Sequence, residues 1–333
     1  MPMPAEDPTQ TPPAPSLPSE AASVTVAYQL PGRAASPQQQ LFRDCFLDLM
    51  ESEEAILPSA ASPLGRLWQL IRSPDSTLDE CAEVIALDPA LTARVFRIAN
   101  SPLYGGTSST TKEAVLQFGY ARLRQFVFSA QIIERFSKME MPPGWEHFWI
   151  RNVFSAQFVE RIAGKYFKTT GSEYLAGMLH DTGWLMLASF FPDEFRAVLE
   201  SPNEVPLEQA EKEVFSFSHA DASSLICAKS HLPARVVNAV AAHHHPLSLP
   251  DAATLKKPEE SETLLAVLLF LCDRLADDIS LPIGGRSTGL APEEVLSGPE
   301  WDWLDRYGKK PEFRAIAEEE LDRAYQVGAV FLA

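Results

Sequence analysis

Apolar residues along most of the chain recur with the spacing of an amphipathic helix. The first stripe falls on one face at 3.6 residues per turn and consists of Leu41, Phe42, Cys45, Phe46, Leu49 and Met50. The same pattern predicts further helices up to about residue 332, and no alternating segment of useful strand length interrupts them. The chain is therefore predicted to be an all-α protein with a compact multi-helix fold.

Capping residues place the ends of several predicted helices. Asp88 followed by Pro89 predicts a helix start, because Asp accepts bonds from the first free N–H groups and proline tolerates the first helical position. That helix is predicted to end near Asn100, whose side chain can hold the following turn by bonding backbone groups. Later helices are predicted over about 145–167, 173–180, 184–190, 206–217, 218–230, 233–244, 262–278, 291–305 and 311–332.

Composition divides the chain into three parts. Residues 1–37 are rich in Pro, Ala, Ser and Gln and contain little to bury, so they are predicted to form a disordered Pro/Ala-rich tail. Residues 38–142 are predicted to form an N-terminal helical half, and residues 143–333 a second helical half with the closing helices. The Met-Pro-Pro-Gly segment at residues 141–144 is the predicted boundary between the halves.

Charge and segment length limit the partners and the compartment. The formal net charge is −17, and so acidic a surface repels phosphate backbones, which argues against nucleic acid as a partner. The longest apolar run, residues 264–272, is shorter than the ~20 residues of a membrane helix, and the N-terminus lacks the pattern of a signal peptide. We therefore expect a cytoplasmic protein without membrane insertion. The four cysteines are expected to be buried, reduced thiols.

Histidines and carboxylates of the second half provide the candidate chemistry. His180 and Asp181 are adjacent at a predicted helix end, His243 and His244 end another helix, and Asp273 lies in an apolar helix. An imidazole and a carboxylate at one point suit a divalent metal with nitrogen and oxygen ligands. A structural explanation is the alternative, because histidines at a helix C-terminus also complement the helix dipole and Asp273 can pair with a cation. Spacing alone leaves both interpretations open.

A block of eighteen residues, 88–105, reads Asp-Pro-Ala-Leu-Thr-Ala-Arg-Val-Phe-Arg-Ile-Ala-Asn-Ser-Pro-Leu-Tyr-Gly. This block resembles the signature of HDOD domains. Leu-Pro at residues 57–58 precedes it, Ala-Val-Leu-Gln-Phe-Gly at residues 114–119 follows it, and the later histidines and aspartates come in the family's order. The resemblance covers about residues 55–280. It implies a compact all-α fold related to the HD phosphohydrolases and to the HD-GYP cyclic-di-GMP phosphodiesterases.

The resemblance also implies which residues would surround a metal site. His180 and Asp181 match the HD dyad, with Asp181 in the metal-bridging place, and Asp273 matches the family's late aspartate. The ligands of the second metal of HD-GYP enzymes correspond to His219, His243 and His244. The carried-over site is either an empty remnant or able to hold a single divalent metal (Fe, Mn or Zn), and comprises His180, Asp181, His219, His243, His244 and Asp273.

Two residues depart from the active relatives. Arg151 stands where the first ligand histidine is expected, Trp184 stands where active HD-GYP enzymes have a lysine, and the GYP segment is absent after Pro246. Hydrolysis of a phosphodiester needs a metal-bound hydroxide and cations on the developing charge. We expect the Arg151 guanidinium to reach toward Asp181 or Asp273 in place of the missing cation. The site then keeps one metal or is metal-free, and repulsion between an arginine and a divalent cation favours the metal-free form.

These features favour a regulatory protein over an enzyme. The first hypothesis is a non-catalytic signalling or scaffold protein of the HDOD type in bacterial signal transduction, with no cofactor expected. Its expected partners are signalling proteins, including components of cyclic-dinucleotide signalling. The alternative is a metal-dependent HD-type phosphohydrolase acting on a cyclic dinucleotide or a nucleotide phosphoester, which the retained His219, His243 and His244 keep open. A nucleic-acid-binding regulator is disfavoured by the charge.

Overall fold

Helices make up the part of the chain that the computed structural model describes, residues 30–51, 62–73, 75–100, 108–136, 145–202, 205–230, 232–279, 281 and 290–332. No strand occurs within these residues, and the predicted all-α class and multi-helix arrangement are confirmed. Most of the predicted tail, residues 1–29, and the predicted boundary at residues 141–144 lie outside them. The helices are α1 (Pro37–Glu51), α2 (Pro63–Arg72), α3 (Leu78–Ala86), α4 (Pro89–Ala99), α5 (Thr111–Phe136), α6 (Trp145–Ala163), α7 (Ser172–Leu179), α8 (Thr182–Phe190), α9 (Pro192–Leu199), α10 (Leu207–Phe215), α11 (His219–Lys229), α12 (Ala234–Ala241), α13 (Glu262–Asp278), α14 (Pro292–Val295), α15 (Pro299–Trp303) and α16 (Phe313–Leu332).

Helices α2 to α5 form the N-terminal part of the larger of two apolar clusters. Helix α5 packs against α2, α3 and α4, and its buried face includes Ala114, Val115 and Leu123. At Gly119 the backbone of α5 adopts a φ of 66°. This left-handed conformation is open to glycine because it has no Cβ, and the residue marks a bend between two helical stretches.

Helices α6 and α13 form the centre of the second half. Helix α6 packs against α7, α13 and α16, and α13 also packs against α12. Both helices are buried along most of their length, which accounts for the long apolar run at residues 264–272. Arg151 on α6 and Asp273 on α13 face each other across this contact. No helix in the described ranges combines the length and the apolar composition needed to cross a membrane.

Asp88 and Asn100 act where the sequence predicts, and a further cap lies at α3. Asp88 accepts bonds from two N–H groups in the first turn of α4, at 2.8 and 3.0 Å, and Thr77 and Glu80 form a reciprocal capping box at α3. Asn100 follows α4 and bonds twice to Ser108, accepting from its N–H at 2.7 Å and donating to its carbonyl oxygen at 3.1 Å. These local bonds fix where the helices begin and end.

One helix, α9, was not predicted. It begins with Pro192 at its first position and has two acidic residues in its first turn, both of which are signals of a helix start. Its buried residues are Phe195 and Val198. Two buried positions in an eight-residue helix are too few to establish a helical period in the sequence.

Helix α1 packs on the second half of the chain. It contacts α10, and Phe42, Phe46 and Met50 belong to the smaller apolar cluster together with residues of α8 to α11. Cys45 lies on the other side of α1 and is exposed, so the expectation of four buried thiols is wrong for this residue. The other three cysteines are buried.

Residues 30–32 lie against the turn between α10 and α11. Leu30 is 3% exposed. Arg43 on α1 donates to the carbonyl oxygens of Leu30 at 2.6 Å and of Pro31 at 2.8 Å, and to Ser216 Oγ at 3.3 Å. The last residues of the predicted tail are therefore held on the helical body, next to the turn that precedes α11.

Candidate metal centre

The adjacent His180 and Asp181 lie at the junction of α7 and α8, and both are fully buried. Helix α8 approaches α11 so closely that a Cβ atom on Gly183 would lie 2.2 Å from the carbonyl oxygen of His219. The Gly183 N–H also donates to Ser223 Oγ on α11 at 2.8 Å. The glycine therefore allows the close contact that brings Asp181 next to His219.

The Arg151 guanidinium lies among three carboxylates and is 2% exposed. Its Nη2 donates to Asp273 Oδ1 at 2.8 Å, its Nη1 donates to Asp277 Oδ1 at 2.8 Å, and its Nε lies 3.4 Å from Asp181 Oδ2. Nη1 also donates to the carbonyl oxygen of Leu281 at 2.6 Å. Asp181 and Asp273 were predicted from the sequence as alternative partners of Arg151, and the guanidinium contacts both. Asp277, one helical turn after Asp273 on α13, was not predicted.

His180 joins two of these carboxylates. Its Nδ1 lies 2.8 Å from the carbonyl oxygen of Gly177, which can only accept, so Nδ1 carries a proton. Its Nε2 faces Asp273 Oδ1 at 2.9 Å and Asp181 Oδ2 at 3.2 Å. His180, Asp181 and Asp273 could hold a metal by their spacing. The first position that they define does not fit a cation, because the guanidinium of Arg151 already pairs with both carboxylates.

A second group consists of His219, His243 and His244. The Nε2 atoms of His219 and His244 are 2.8 Å apart, and Asp181 Oδ1 lies 3.5 Å from Nε2 of both His219 and His243. His243 Nδ1 donates to the Val240 carbonyl oxygen at 2.7 Å, which leaves Nε2 to accept. Among the described residues, His243 Nε2 and Asp181 Oδ1 are buried without a hydrogen-bond partner. This second position fits one divalent transition-metal ion, because three imidazoles and one carboxylate converge on it with two unpartnered atoms.

Asp181 connects the two positions through different oxygens. Its Oδ2 faces Arg151 and His180, and its Oδ1 faces the histidines of the second group. The HDOD resemblance assigned this aspartate to the bridging place. The geometry gives each of its oxygens a separate set of neighbours.

Glu211 and Glu208 on α10 also reach the histidines. Glu211 is fully buried, and its Oε2 accepts from the backbone N–H of His219 at 2.8 Å and lies 2.7 Å from His219 Nδ1. Glu208, one turn earlier, lies 3.0 Å from Nε2 of His245. Neither glutamate was predicted, because α10 reads as an ordinary amphipathic helix and only its packing turns these positions toward the site.

Carboxylates control the proton affinity of two buried histidines. Burial by itself lowers the pKa of His180, but Asp181 and Asp273 raise it to about 10. Burial also lowers the pKa of His219, but Glu211 raises it to about 9. Burial raises the pKa of Asp181, yet His180 holds it well below its ordinary value. In the metal-free protein, protonated imidazoles therefore offset the buried carboxylates.

Asp277 and His244, at the edge of the site, are shifted toward their neutral forms. Burial raises the pKa of Asp277 to about 6, although Arg151 opposes the shift. Burial and the neighbouring His243 lower the pKa of His244 well below its ordinary value. A neutral imidazole is the form that binds a metal ion, so His244 can act as a ligand near neutral pH.

Trp184, which stands in the place of the lysine, belongs to the smaller apolar cluster. It is 6% exposed and stacks on Phe148, with ring centroids 5.1 Å apart and 12° between the ring planes. Its other ring neighbour is Phe195, at a centroid distance of 4.9 Å. The indole carries no charge, so this position supplies no cation to a phosphate.

Comparison with known proteins identifies the family. The HDOD domain matches residues 57–246, more than half of the 333 residues, and the chain belongs to the HDOD domain family. A curated relative, an uncharacterized protein of Treponema pallidum (strain Nichols), is 23% identical over 220 residues, which are 64% of this chain and 41% of the relative. The chain thus spans about two fifths of the length of this relative.

Solved structures share the fold. An HDOD domain protein of Geobacter sulfurreducens superposes with a TM-score of 0.67 and 22% identity, over 88% of this chain and 97% of the other. A candidate phosphohydrolase of Shewanella amazonensis SB2B superposes with a TM-score of 0.62 and 20% identity, over 86% of this chain and 96% of the other. A candidate signal transduction protein of Marinobacter aquaeolei VT8 superposes with a TM-score of 0.62 and 18% identity, over 89% of this chain and 67% of the other. At these identities the likeness concerns the fold.

Proposed function

We propose that this HDOD protein is a non-catalytic regulatory module of bacterial signal transduction, whose first cation position is filled by the Arg151 side chain. One observation carries the proposal, namely the contact of the Arg151 guanidinium with Asp181, Asp273 and Asp277. A guanidinium stays charged at all physiological pH values. It can neutralise these carboxylates as a metal would, but it offers no open position for an attacking water.

The chemistry of phosphoester cleavage supports this proposal. A metal ion in such a site generates hydroxide and stabilises the charge that develops on the phosphate. Arg151 occupies the first position, and Trp184 lies in an apolar cluster at the position where the active relatives place a lysine. Loss of both contributions would remove most of the stabilisation of the transition state. The protein is then suited to hold a stable conformation for recognition by other proteins.

The second position retains the means to bind one cation. Nε2 atoms of His219, His243 and His244 and Oδ1 of Asp181 would hold it, with Fe, Mn or Zn as suitable ions. A bound ion would supply a Lewis acid at this point. Two buried atoms without partners favour the one-metal form over the metal-free form, because leaving them unpaired costs free energy. The ion pairs of Arg151 reduce the repulsion between its charge and the cation.

The proposed partners are signalling proteins, including components of cyclic-dinucleotide signalling. They follow from the family and from the likeness to a candidate signal transduction protein. A second candidate function is a metal-dependent phosphohydrolase of cyclic dinucleotides or nucleotide phosphoesters with a reduced metal set. The retained second group favours this alternative, as does the likeness to a candidate phosphohydrolase.

Metal content tests whether Arg151 takes the place of a metal ion at the first position. Protein purified without chelators is expected to carry at most one metal ion per chain by elemental analysis. The Arg151→His variant is expected to gain a second ion, and Arg196→His, which changes an exposed arginine, is expected to gain none. Two ions per chain in the parent protein would contradict the role of Arg151.

An activity assay provides the second arm of this test. Cyclic di-GMP and simple nucleotide phosphoesters, supplied with manganese or iron, are expected to remain intact with the parent protein. Turnover that is lost in Asp181→Ala would establish the phosphohydrolase alternative instead.

A further inference from the structure

Glu211 is a buried carboxylate that belongs to neither the first nor the second cation position. It lies on α10, eight residues before His219, and is 0% exposed. Its Oε2 atom accepts from the His219 backbone N–H at 2.8 Å and lies 2.7 Å from the Nδ1 atom of the same residue. One oxygen thus contacts both the main chain and the ring of a single histidine.

These two contacts fix the direction of the His219 ring. A carboxylate can only accept, so Nδ1 of His219 must carry a proton. The opposite atom, Nε2, then points at His244 Nε2, 2.8 Å away, and at Asp181 Oδ1, 3.5 Å away. We propose that Glu211 is a positioning residue that orients His219 as a ligand for a divalent cation at the second position. This inference rests on the proposed ability of that position to hold one cation.

The three histidines with known Nδ1 partners differ in how they are held. Nδ1 of His180 and of His243 contacts a backbone carbonyl oxygen three residues earlier, that of Gly177 and Val240 respectively. Nδ1 of His219 contacts a side chain from a different helix. Its orientation therefore depends on the packing of α10 against α11, and a single substitution at residue 211 can remove it.

Glu211 is fully buried and contacts His219 through one of its two oxygens. A buried carboxylate is unfavourable unless its oxygens are paired, and among the described residues Oε1 of Glu211 has no hydrogen-bond partner. Hydrogen bonds from carboxylates to ligating histidines orient the ring and increase its basicity. The His219 ring lies between Glu211 and the point at which the second group converges, as that role requires.

Helix α10 also supplies a matched control. Glu208 lies one turn before Glu211, is largely buried and contacts His245 Nε2 at 3.0 Å. His245 is 69% exposed and is not part of the second group. Glu208 therefore has the same chemistry, the same helix and a histidine partner, but its histidine partner is not a residue of the second group.

The test compares the full-length parent with Glu211→Met, Glu211→Gln and Glu208→Met. Co²⁺ and Zn²⁺ affinities are measured by competition with a chelator. Glu211→Met is expected to weaken binding roughly 10- to 100-fold, since loss of a carboxylate behind a ligating histidine has this effect. Glu208→Met is expected to change binding by less than about threefold, as for a substitution away from the site. Glu211→Gln keeps an acceptor oxygen, so its metal affinity is expected to fall between those of Glu211→Met and Glu208→Met. If Glu211→Met does not fold, the comparison of Glu211→Gln with Glu208→Met takes its place.

A second measurement does not depend on the metal. In the metal-free, ¹⁵N-labelled protein, the Nδ1–H proton of His219 is expected to exchange slowly with water in the parent and rapidly in Glu211→Met. A slowly exchanging proton in Glu211→Met overturns the inference, and so do equal losses of metal affinity in the Glu211 and Glu208 variants. If the parent binds neither ion, the proposed cation position is wrong, and the Nδ1–H exchange still decides whether Glu211 orients His219.

Discussion

Arg151 and Asp273 form a buried ion pair between the two central helices, in which Nη2 donates to Oδ1 at 2.8 Å. The same oxygen lies 2.9 Å from Nε2 of His180. Two cationic groups therefore share one carboxylate, and the pair holds α6, α7 and α13 together at the site.

Replacement of Arg151 by Met is expected to lower the free energy of unfolding by about 3–5 kcal/mol, the usual effect of removing one partner of a buried ion pair. Three carboxylates, Asp181, Asp273 and Asp277, would lose a positive neighbour. Urea denaturation in the presence of a chelator measures the change without a contribution from bound metal.

Arg196→Met is the control for this experiment. Arg196 pairs with Asp193 at 3.3 Å, but its side chain is 66% exposed. Exposed pairs contribute about 0–1 kcal/mol, so the midpoint is expected to move little. Equal midpoints for parent and Arg151→Met would mean that the buried pair does not stabilise the fold.

Asn100→Ala is expected to lower stability by about 1 kcal/mol through the loss of its hydrogen bonds. The side chain bonds the N–H and the carbonyl oxygen of Ser108, at 2.7 and 3.1 Å, and so joins the end of α4 to the residues before α5. Thermal and urea unfolding measure the change. Gln40→Ala removes one exposed bond, from Gln40 Nε2 to Asp44 Oδ1, and is expected to have a smaller effect. An unchanged midpoint for Asn100→Ala would exclude its role in the turn.

The metal-free protein is expected to lose stability as the pH rises from 7 to 10. The pKa is raised to about 10 for His180 and about 9 for His219, whereas an unfolded histidine has a pKa of about 6.5. Between these pKa values the folded state binds more protons than the unfolded state. The contribution of the two histidines to the free energy of unfolding is therefore complete below about pH 6.5, and it is lost as the pH rises through the folded pKa values.

Urea midpoints at several pH values between 6 and 10, in the presence of a chelator, test this expectation. His219→Gln is expected to reduce the slope of stability against pH, because one of the two shifted groups is removed. His147→Gln, which changes an exposed histidine, is expected to leave the slope unchanged. A stability that rises over this range would contradict the direction of both shifts.

Gly183→Ala is expected to destabilise the protein by at least about 1–3 kcal/mol, the usual effect of overpacking. The added Cβ would lie 2.2 Å from the carbonyl oxygen of His219 and 2.7 Å from Cβ of Ala222. Helices α8 and α11 would have to separate, and Asp181 would move away from His219. Loss of Co²⁺ affinity together with a lower unfolding temperature is the expected result. Gly164→Ala, for which the nearest atom is 3.3 Å away, is expected to change both quantities less.

Local signals in the sequence predicted much of the fold. Asp88 and the apolar stripes gave the positions of helices, because caps and periodicity act within a few residues. Helix α9 was missed because it is only eight residues long and fully buries only Phe195 and Val198. The exposed position of Cys45 was missed because the stripe of α1 is broad, and only the packing of α1 decides which side faces solvent.

The candidate site could be predicted from the sequence only where residues match the family's order. His180, Asp181 and Asp273 belong to this order, and the structure brings them together. Asp277 and Glu211 have no such landmark. Their contacts with Arg151 and His219 depend on the angles at which α13 and α10 pack, and these angles are set by tertiary structure rather than by spacing.

The guanidinium at the first position has a consequence for how the protein responds to its surroundings. A metal ion exchanges with solution, so its occupancy follows the supply of that metal and the presence of chelators. Arg151 is attached to the main chain of α6 and keeps its charge at every physiological pH, and its contacts with Asp273 and Asp277 are intramolecular. This half of the site is therefore always charged and always filled, whether the cell is rich or poor in iron or manganese.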